Sequence, residues 1–405
     1  MFWLLLILGV LVPYVQSCPS QCTCLAQVVN CQHQSLNSLP SDGAIPTDTL
    51  QMTLSDNDFT TLTTDMFSTF ADLQKLTIER SNIATIEAGA FNGLTSLTEL
   101  SLASNAITSL PDDVFASLTS LQTVKLGSNS MTSLGSDTFK GLTSLPTLNV
   151  QLNSISSMTS GVFSPMTSLQ TIYLSDNLIT ALPSSAFTSM QRLEVIHLQR
   201  NQIQLVQTGS FQDLLEMTSL DLSNHVITDV EDGAFSNLPL LTSLLLNNNQ
   251  LPVVPKAALT VLTSVQTLDM ENNLITALND VKMFGDMTSL TTLKLRHNKI
   301  ATIAVDCLEG LTSLISVDLG FNKLTGITGT IASSLTSLTT VNFESNLMTS
   351  IATSSFTGMT SLQSLDLSLN SLPSLPEGLL GDAQSSLTLK LTGNPLSCDC
   401  DLKWL

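Results

Sequence analysis

The sequence predicts an α/β solenoid: a horseshoe with a concave parallel β-sheet of about 15 strands and a mostly irregular convex side. Three observations carry that prediction. A short leucine-and-asparagine unit recurs at nearly constant spacing, a phenylalanine recurs at a fixed offset from it, and cysteines gather at the two ends of the chain.

The unit reads L-x-x-L-x-L-x-x-N-x-L. Its Asn position falls at Asn57, Ser81, Asn105, Asn129, Asn153, Asn177, Asn201, His225, Asn249, Asn273, Asn298, Asn322, Asn346, Asn370 and Asn394. Every interval is 24 residues except Asn273 to Asn298, which is 25. Within a unit such as the third, Leu100 and Leu102 alternate as in a strand with one buried face. The chain then turns at Asn105, whose amide carries donors and an acceptor. Stacked on its neighbours, it can satisfy backbone groups that the turn leaves unpaired. Ile107 and Leu110 point back to the core. His225 and Ser81 depart from this column: His225 fits a pH-sensitive turn residue but better a tolerated ladder substitution, and Ser81, followed by Asn82, keeps part of the hydrogen bonding with a shorter side chain.

Ten residues beyond the Asn position stand Phe67, Phe91, Phe115, Phe139, Phe163, Phe187, Phe211, Phe235 and Phe356. They predict an aromatic stack along the convex side, each ring burying a large apolar area. The stack lapses at Leu259, Leu308, Ala332 and Leu380 and shifts by one at Phe284; Ala332, the smallest filler, predicts a looser stretch. Strands about 4.8 Å apart make fifteen units an arc of roughly 70 Å, with ends that require caps. A chain of 405 residues would ordinarily divide into several globular domains. A repeat array need not, because each unit packs only on its neighbours.

Residues 1–17 read as a signal peptide. Phe2 to Val12 form an apolar run too short to span a membrane, and Val15-Gln16-Ser17 offers small residues for cleavage. Cys18, Cys22, Cys24 and Cys31 follow at C-x3-C-x-C-x6-C, with Cys398 and Cys400 at the far end. Such spacing can hold zinc, but the export signal and the lack of further ligands beyond His33 favour disulfides. Spacing alone leaves three pairings open for the first four cysteines. Cys307 precedes a position of the phenylalanine column and reads as a buried, inert thiol.

The repeat resembles that of the extracellular, 24-residue class of leucine-rich-repeat proteins, over nearly the whole mature chain. The segment from Cys18-Pro19 to Cys31 is similar to that family's N-terminal cysteine cap, and the resemblance implies pairing of Cys18 with Cys24 and of Cys22 with Cys31. Asn394-Pro395-Leu396-Ser397-Cys398-Asp399-Cys400 looks like the opening of its C-terminal cap. The expected organisation is therefore a signal peptide (1–17), an N-terminal cysteine cap (18–48), the solenoid (49–393) and the start of a truncated C-terminal cap (394–405). Any membrane anchor would lie beyond Leu405.

Fold does not set function, so the site is sought in residues. The back of the unit is monotonous, Thr-Ser-Leu recurring at Thr95, Thr119, Thr143, Thr167, Thr218, Thr288, Thr312, Thr336 and Thr360. Three positions vary: the one between the second and third Leu, and the two before the Asn. Those rows hold 15 charged residues in 45 positions, against 32 in the other 360, so chemical individuality concentrates on the concave face. The central row reads Tyr173, His197, Asp221, Leu245, Asp269, Lys294 and Asp318, flanked by Arg200, Glu271, Arg296, His297 and Phe321. Tyr and Arg favour binding hot spots, and Leu245 or Phe321 would serve as apolar anchors. Against this, Asp269, Lys294 and Asp318 also fit ordinary cross-strand charge pairing, which contributes little.

No catalytic residues, metal site or cofactor are expected. His33, His197, His225 and His297 lack ligand spacing, the carboxylates are scattered over an open face, and no phosphate-binding glycine loop occurs. A net charge of −19 offers no global basic field for nucleic acid. No Asn-x-Ser/Thr acceptor is present. The expectation is an extracellular recognition scaffold or receptor ectodomain that binds a protein ligand on its concave face, with a soluble matrix or carrier protein as the alternative.

Overall fold

The computed structural model describes residues 18–41, 44–184, 186–380 and 386–397. The expected signal peptide, Cys398 and Cys400 lie outside the described residues. Fifteen three-residue strands, from Gln51–Thr53 to Thr388–Lys390, run parallel, each paired with the strand one repeat away. Val28–Asn30 adds to the first of them in parallel, and Thr23–Leu25 closes that edge antiparallel, giving a 17-stranded sheet. The central residue of each repeat strand through Ser364–Asp366, such as Leu100, Ile172 or Leu244, is buried, whereas its neighbours are not shut off to the same degree. Behind the sheet, two-residue ladders such as Leu205–Val206 with Asp229–Val230 repeat the pairing on a smaller scale.

The helical share of an α/β class is nearly absent among the described residues: one α-turn, Lys256–Leu259, and one 3-10 turn, Thr353–Phe356. Elsewhere the convex segments close short turns. In the second repeat the amide of Ala90 donates to Glu87, Asn92 to Gly89 and Leu94 to Phe91. Gly, Ser, Thr and Asp dominate these stretches and favour turns over a helical run. At Gly141 the backbone is left-handed (φ 95°), and a Cβ there would lie 2.6 Å from the Phe115 carbonyl oxygen. Gly141→Ala is therefore expected to lower stability by about 2 kcal/mol, read from a denaturant midpoint; an unchanged midpoint would refute this account of the turn.

The phenylalanine column stacks as predicted over long stretches. Ring centroids lie 6.4 Å apart for Phe67–Phe91, 5.9 Å for Phe139–Phe163, 5.8 Å for Phe163–Phe187 and 5.7 Å for Phe187–Phe211. Leu259, Phe284, Leu308 and Ala332 are buried in the same column. Around Ala332 the segment 329–334 makes bends in place of the hydrogen-bonded turns of other repeats, in keeping with the smaller side chain. The long repeat keeps its inner register: Thr267 pairs with Thr292, and Ala277–Leu278 with Thr302–Ile303. The extra residue is thus absorbed between Leu278 and Phe284, on the outer side.

The asparagine ladder stitches the repeats together. Asn177 Nδ2 donates to the carbonyls of Val150, Leu174 and Ser175, and its Oδ1 accepts from the Ile155 amide. The Leu174 carbonyl also accepts from Asn201, so it is shared by two ladder residues. That sharing explains why departures are tolerated. Ser81 Oγ accepts from the Asn57 amide and lies 3.2 Å from the Leu54 oxygen and 3.0 Å from that of Glu79. His225 Nδ1 accepts from the Ile203 amide at 3.2 Å, but its Nε2 is buried without a hydrogen-bond partner.

At the N-terminus, Cys18 pairs with Cys24 and Cys22 with Cys31. Cys307 is free and fully buried, and burial pushes its thiol up to about 12. The Thr-Ser-Leu series needs one correction. Met217 fills the first-leucine position of its repeat, so Thr218 immediately precedes the strand Ser219–Asp221 and does not lie on the back.

Candidate functional site

Strand register brings the central row together. Tyr173 pairs with His197, His197 with Asp221, Asp221 with Leu245, Leu245 with Asp269, Asp269 with Lys294 and Lys294 with Asp318. The row continues through Asn342, Asp366 and Lys390, which the sequence reading did not single out. Each residue of this row ends its three-residue strand. The other two rows lie past the strands, in the turn, and the residue before the Asn is left-handed in repeat after repeat: Arg200 at φ 58°, His297 at 55°, Phe321 at 54°.

That geometry divides the predicted residues into paired and available groups. Arg200 forks onto Asp176, Nη2 to Oδ2 at 2.7 Å, which holds the Asp176 carboxyl below its usual range and raises the guanidinium. Lys294 Nζ lies 3.1 Å from Asp269 Oδ2, and this hydrogen bond raises the lysine; Asp269 itself is buried. Lys294 does not continue the ladder to Asp318. Arg296 does that work instead, with Nη1 3.7 Å from Asp318 and Nη2 2.9 Å from Glu344. Glu344 is a site neighbour that sequence reasoning passed over, although it lies in one of the variable rows.

The acidic residues of the central row have a second use. Oδ1 of Asp221, Asp269, Asp318 and Asp366 accepts the backbone amide two residues on, at 2.9 to 3.0 Å, as does that of Asn149 at 3.1 Å and of Asn342 at 2.8 Å. These are Asx turns that steer the chain out of the strand. The other carboxylate oxygen remains for pairing, as Asp366 Oδ2 with Lys390 at 3.0 Å. Glu271 makes no such turn; burial, then the Asp269 charge, raise its carboxyl. Leu245, expected as an exposed anchor, is half-buried.

Two aromatic clusters stand out on this face. The rings of Tyr173 and His197 stack at 4.6 Å and 7°, and burial holds the imidazole below its ordinary value despite the nearby Asp221. Farther along, His297 packs on Phe321 at 4.5 Å, and the Arg296 guanidinium sits 4.3 Å from the same ring. Between them run Asp221, Leu245, Asp269 and Glu271. The arrangement offers rigid aromatic surfaces and charge over a broad, open face, and such features recognise macromolecules rather than enclose a small substrate. Among the described residues no group of His, Cys, Asp and Glu is placed to hold a metal, and no helix is long and apolar enough to cross a membrane.

Comparison with known proteins points one way. A profile described as a BspA type leucine rich repeat region matches residues 60–194 and 108–241, and a leucine rich repeat profile matches 216–275, 272–324, 288–346 and 336–396. The Danio rerio leucine-rich repeat-containing protein 3 is 35% identical over 83 residues, 20% of this chain and 30% of that relative. The match therefore spans less than a third of the relative's own length. Among solved structures, a leucine-rich-repeat protein of Leptospira interrogans superposes with a TM-score of 0.68 at 24% identity, over 91% of this chain and 90% of that one. The fold is also similar to that in the TLR13–ssRNA13 complex (TM-score 0.62, 22% identity, 88% and 52% of the two chains). The Toll–Spatzle complex of Drosophila compares closely as well (TM-score 0.64, 22% identity, 85% and 50%). At such identities the likeness is one of fold.

Proposed function

The chain belongs to the leucine-rich-repeat proteins, and from that premise we propose that it is an extracellular recognition scaffold whose concave face binds a protein ligand. The observation that carries the reading is the registered row from Tyr173 to Asp318, where aromatic, charged and apolar side chains from consecutive strands share one continuous surface. Tyr173, His197 and Phe321 supply stiff contact area at low entropic cost, and Arg200 and Arg296 supply oriented donors already held by carboxylates. Secretion is supported by the two disulfides near the N-terminus. The scaffold is read as a binder and not an enzyme, because its carboxylates serve turns and ion pairs across an open sheet.

The name of one structural neighbour includes a protein ligand and that of another an RNA. A protein is the better match here: the chain carries a net charge of −19 and the carboxylates of the central row lie in the proposed contact area. Replacing Tyr173, Arg200 and Leu245 together is expected to weaken binding of an isolated extracellular protein ligand at least about a hundredfold, near 3 kcal/mol. Biolayer interferometry on the purified partner measures this, with circular dichroism as the folding control. Retained affinity, together with loss on substituting convex residues such as Gln212 and Asp213, would move the site elsewhere.

A further inference from the structure

The row immediately after the asparagine column forms the rim where the concave face meets the turn. In seven of the other eleven repeats that row is small or polar and neutral, at Asn82, Ala106, Ser130, Ser154, Gln202, Gln250 and Ser371, the exceptions being Asp58, Leu178, Val226 and Pro395. In repeats ten to thirteen it reads Leu274, Lys299, Lys323 and Leu347, an apolar residue on either side of two cations. Both lysines are exposed, and Leu347 is 55% exposed. Beside them projects Phe321, 37% exposed in spite of its ring's contacts with His297 and Arg296.

Three facts set this rim apart. The chain has only 14 Lys and Arg against 33 Asp and Glu, yet Lys294, Arg296, Lys299 and Lys323 fall within two successive repeats. The basic residues of the inner face are neutralised: Lys75 and Lys125 by Glu99, Arg80 by Asp56, Arg200 by Asp176, Lys294 by Asp269, Arg296 by Glu344 and Lys390 by Asp366. Among the described residues no carboxylate lies within 4.0 Å of Lys299 or Lys323. Finally, Phe321 occupies a left-handed position (φ 54°) where bulky side chains are disfavoured and most repeats place Asn, Asp or Ser. A ring kept there and pinned on both sides is pre-organised contact surface.

We propose that this rim docks an acidic protein segment, with carboxylates on Lys299 and Lys323 and apolar side chains against Leu274, Phe321 and Leu347. The proposal rests on the concave-face reading and extends its edge to the turn. Charge complementarity selects the occupant. The cations of the inner face are already paired, so an acidic partner finds at the rim two unpaired lysines in adjacent repeats, and these set where and in which orientation it lands. The flanking apolar residues favour a polypeptide over a polyanion without apolar groups, because desolvating Phe321 and Leu347 adds affinity only if the ligand covers them.

A displayed library of random dodecapeptides, panned on the full chain, tests this. The expected result is enrichment of peptides that combine Asp or Glu with Leu, Phe or Trp, and whose binding weakens in high salt. Lys299→Glu with Lys323→Glu should weaken the selected peptides at least about tenfold, as should Phe321→Ser. The neutral pair Lys299→Gln and Lys323→Gln should give a smaller loss, and superimposable thermal melts check folding. Selected peptides that are neutral or basic, or that ignore the rim variants, overturn the proposal. Rim-dependent binding of a heparin fragment or an RNA oligonucleotide without that of acidic peptides overturns it too. Peptides that respond to Tyr173→Ser and Leu245→Asp but not to the rim variants leave the concave reading standing and remove this one. Peptides that respond to neither set remove both.

Discussion

Replacing Phe163 with alanine is expected to lower stability by about 4 kcal/mol. The ring is fully buried and sits between Phe139 at 5.9 Å and Phe187 at 5.8 Å, nearly parallel to the latter at 4°. Its removal takes away its own burial, its packing with two neighbouring rings and the support they give one another. Neighbours cannot collapse into the gap easily, because each is held by its own repeat's turns. In a solenoid the damage should be local at first, since each unit contacts only adjacent ones. Hydrogen exchange should therefore rise in repeats four to six before the rest, and a loss spread evenly over the chain would contradict this picture. The same substitution at Phe356, whose ring meets Phe343 at a 51° tilt and has no phenylalanine in the adjacent Ala332 position, should cost less.

The second large effect is in pH. Burial lowers His225 from 6.5 to about 4, with Asp221 and the Leu198 carbonyl opposing the shift. The folded form thus binds its proton more weakly than the unfolded chain. Between about pH 6.5 and 4 the unfolded state takes up a proton that the folded state refuses, so stability falls as pH falls through that window. A gap of this size corresponds to about 3 kcal/mol. The structural reason is direct: protonation would place a hydrogen on Nδ1, which now accepts from the Ile203 amide. His225→Asn should abolish this contribution and raise stability at neutral pH, since an asparagine there can donate to Leu198, Leu222 and Ser223 as the other ladder residues do. Urea titrations of both proteins at pH 7.5 and 4.5 measure the difference. Identical pH slopes would show that His225 does not carry the sensitivity.

The repeating core was legible because its signals are redundant. Leucine, asparagine and phenylalanine recur at fixed offsets; the central strand leucine and the phenylalanine column are buried, and most of the asparagines are too. The central row followed from the same arithmetic, and it aligned strand by strand. What sequence could not reveal was which of its members are free. Arg200 and Asp176 lie 24 residues apart, and their fork depends on the left-handed backbone before Asn201. The Asx role of Asp221, Asp269 and Asp318 depends on an amide turning back toward the strand end. Thr218 was misplaced because a tripeptide matched while Met217 had taken the leucine position. The rim lysines lie outside the three rows that vary in the motif, and the exposure of their row is set by geometry that the repeat does not spell out.

The 25-residue unit bears on how such a chain can change. Its surplus residue sits between Leu278 and Phe284, and the inner pairing on either side, Leu268 with Leu293 and Leu278 with Ile303, proceeds as though nothing had been added. The sheet fixes the pitch of the array, and the outer loop takes up whatever slack remains. Insertions near 279–281, ahead of the buried Met283, are thus the economical place to hang a tag, a fluorophore loop or a second module without moving any side chain that faces inward. Lineages that lengthen or trim that loop would redraw the outline of the molecule while its inner lettering stayed in line.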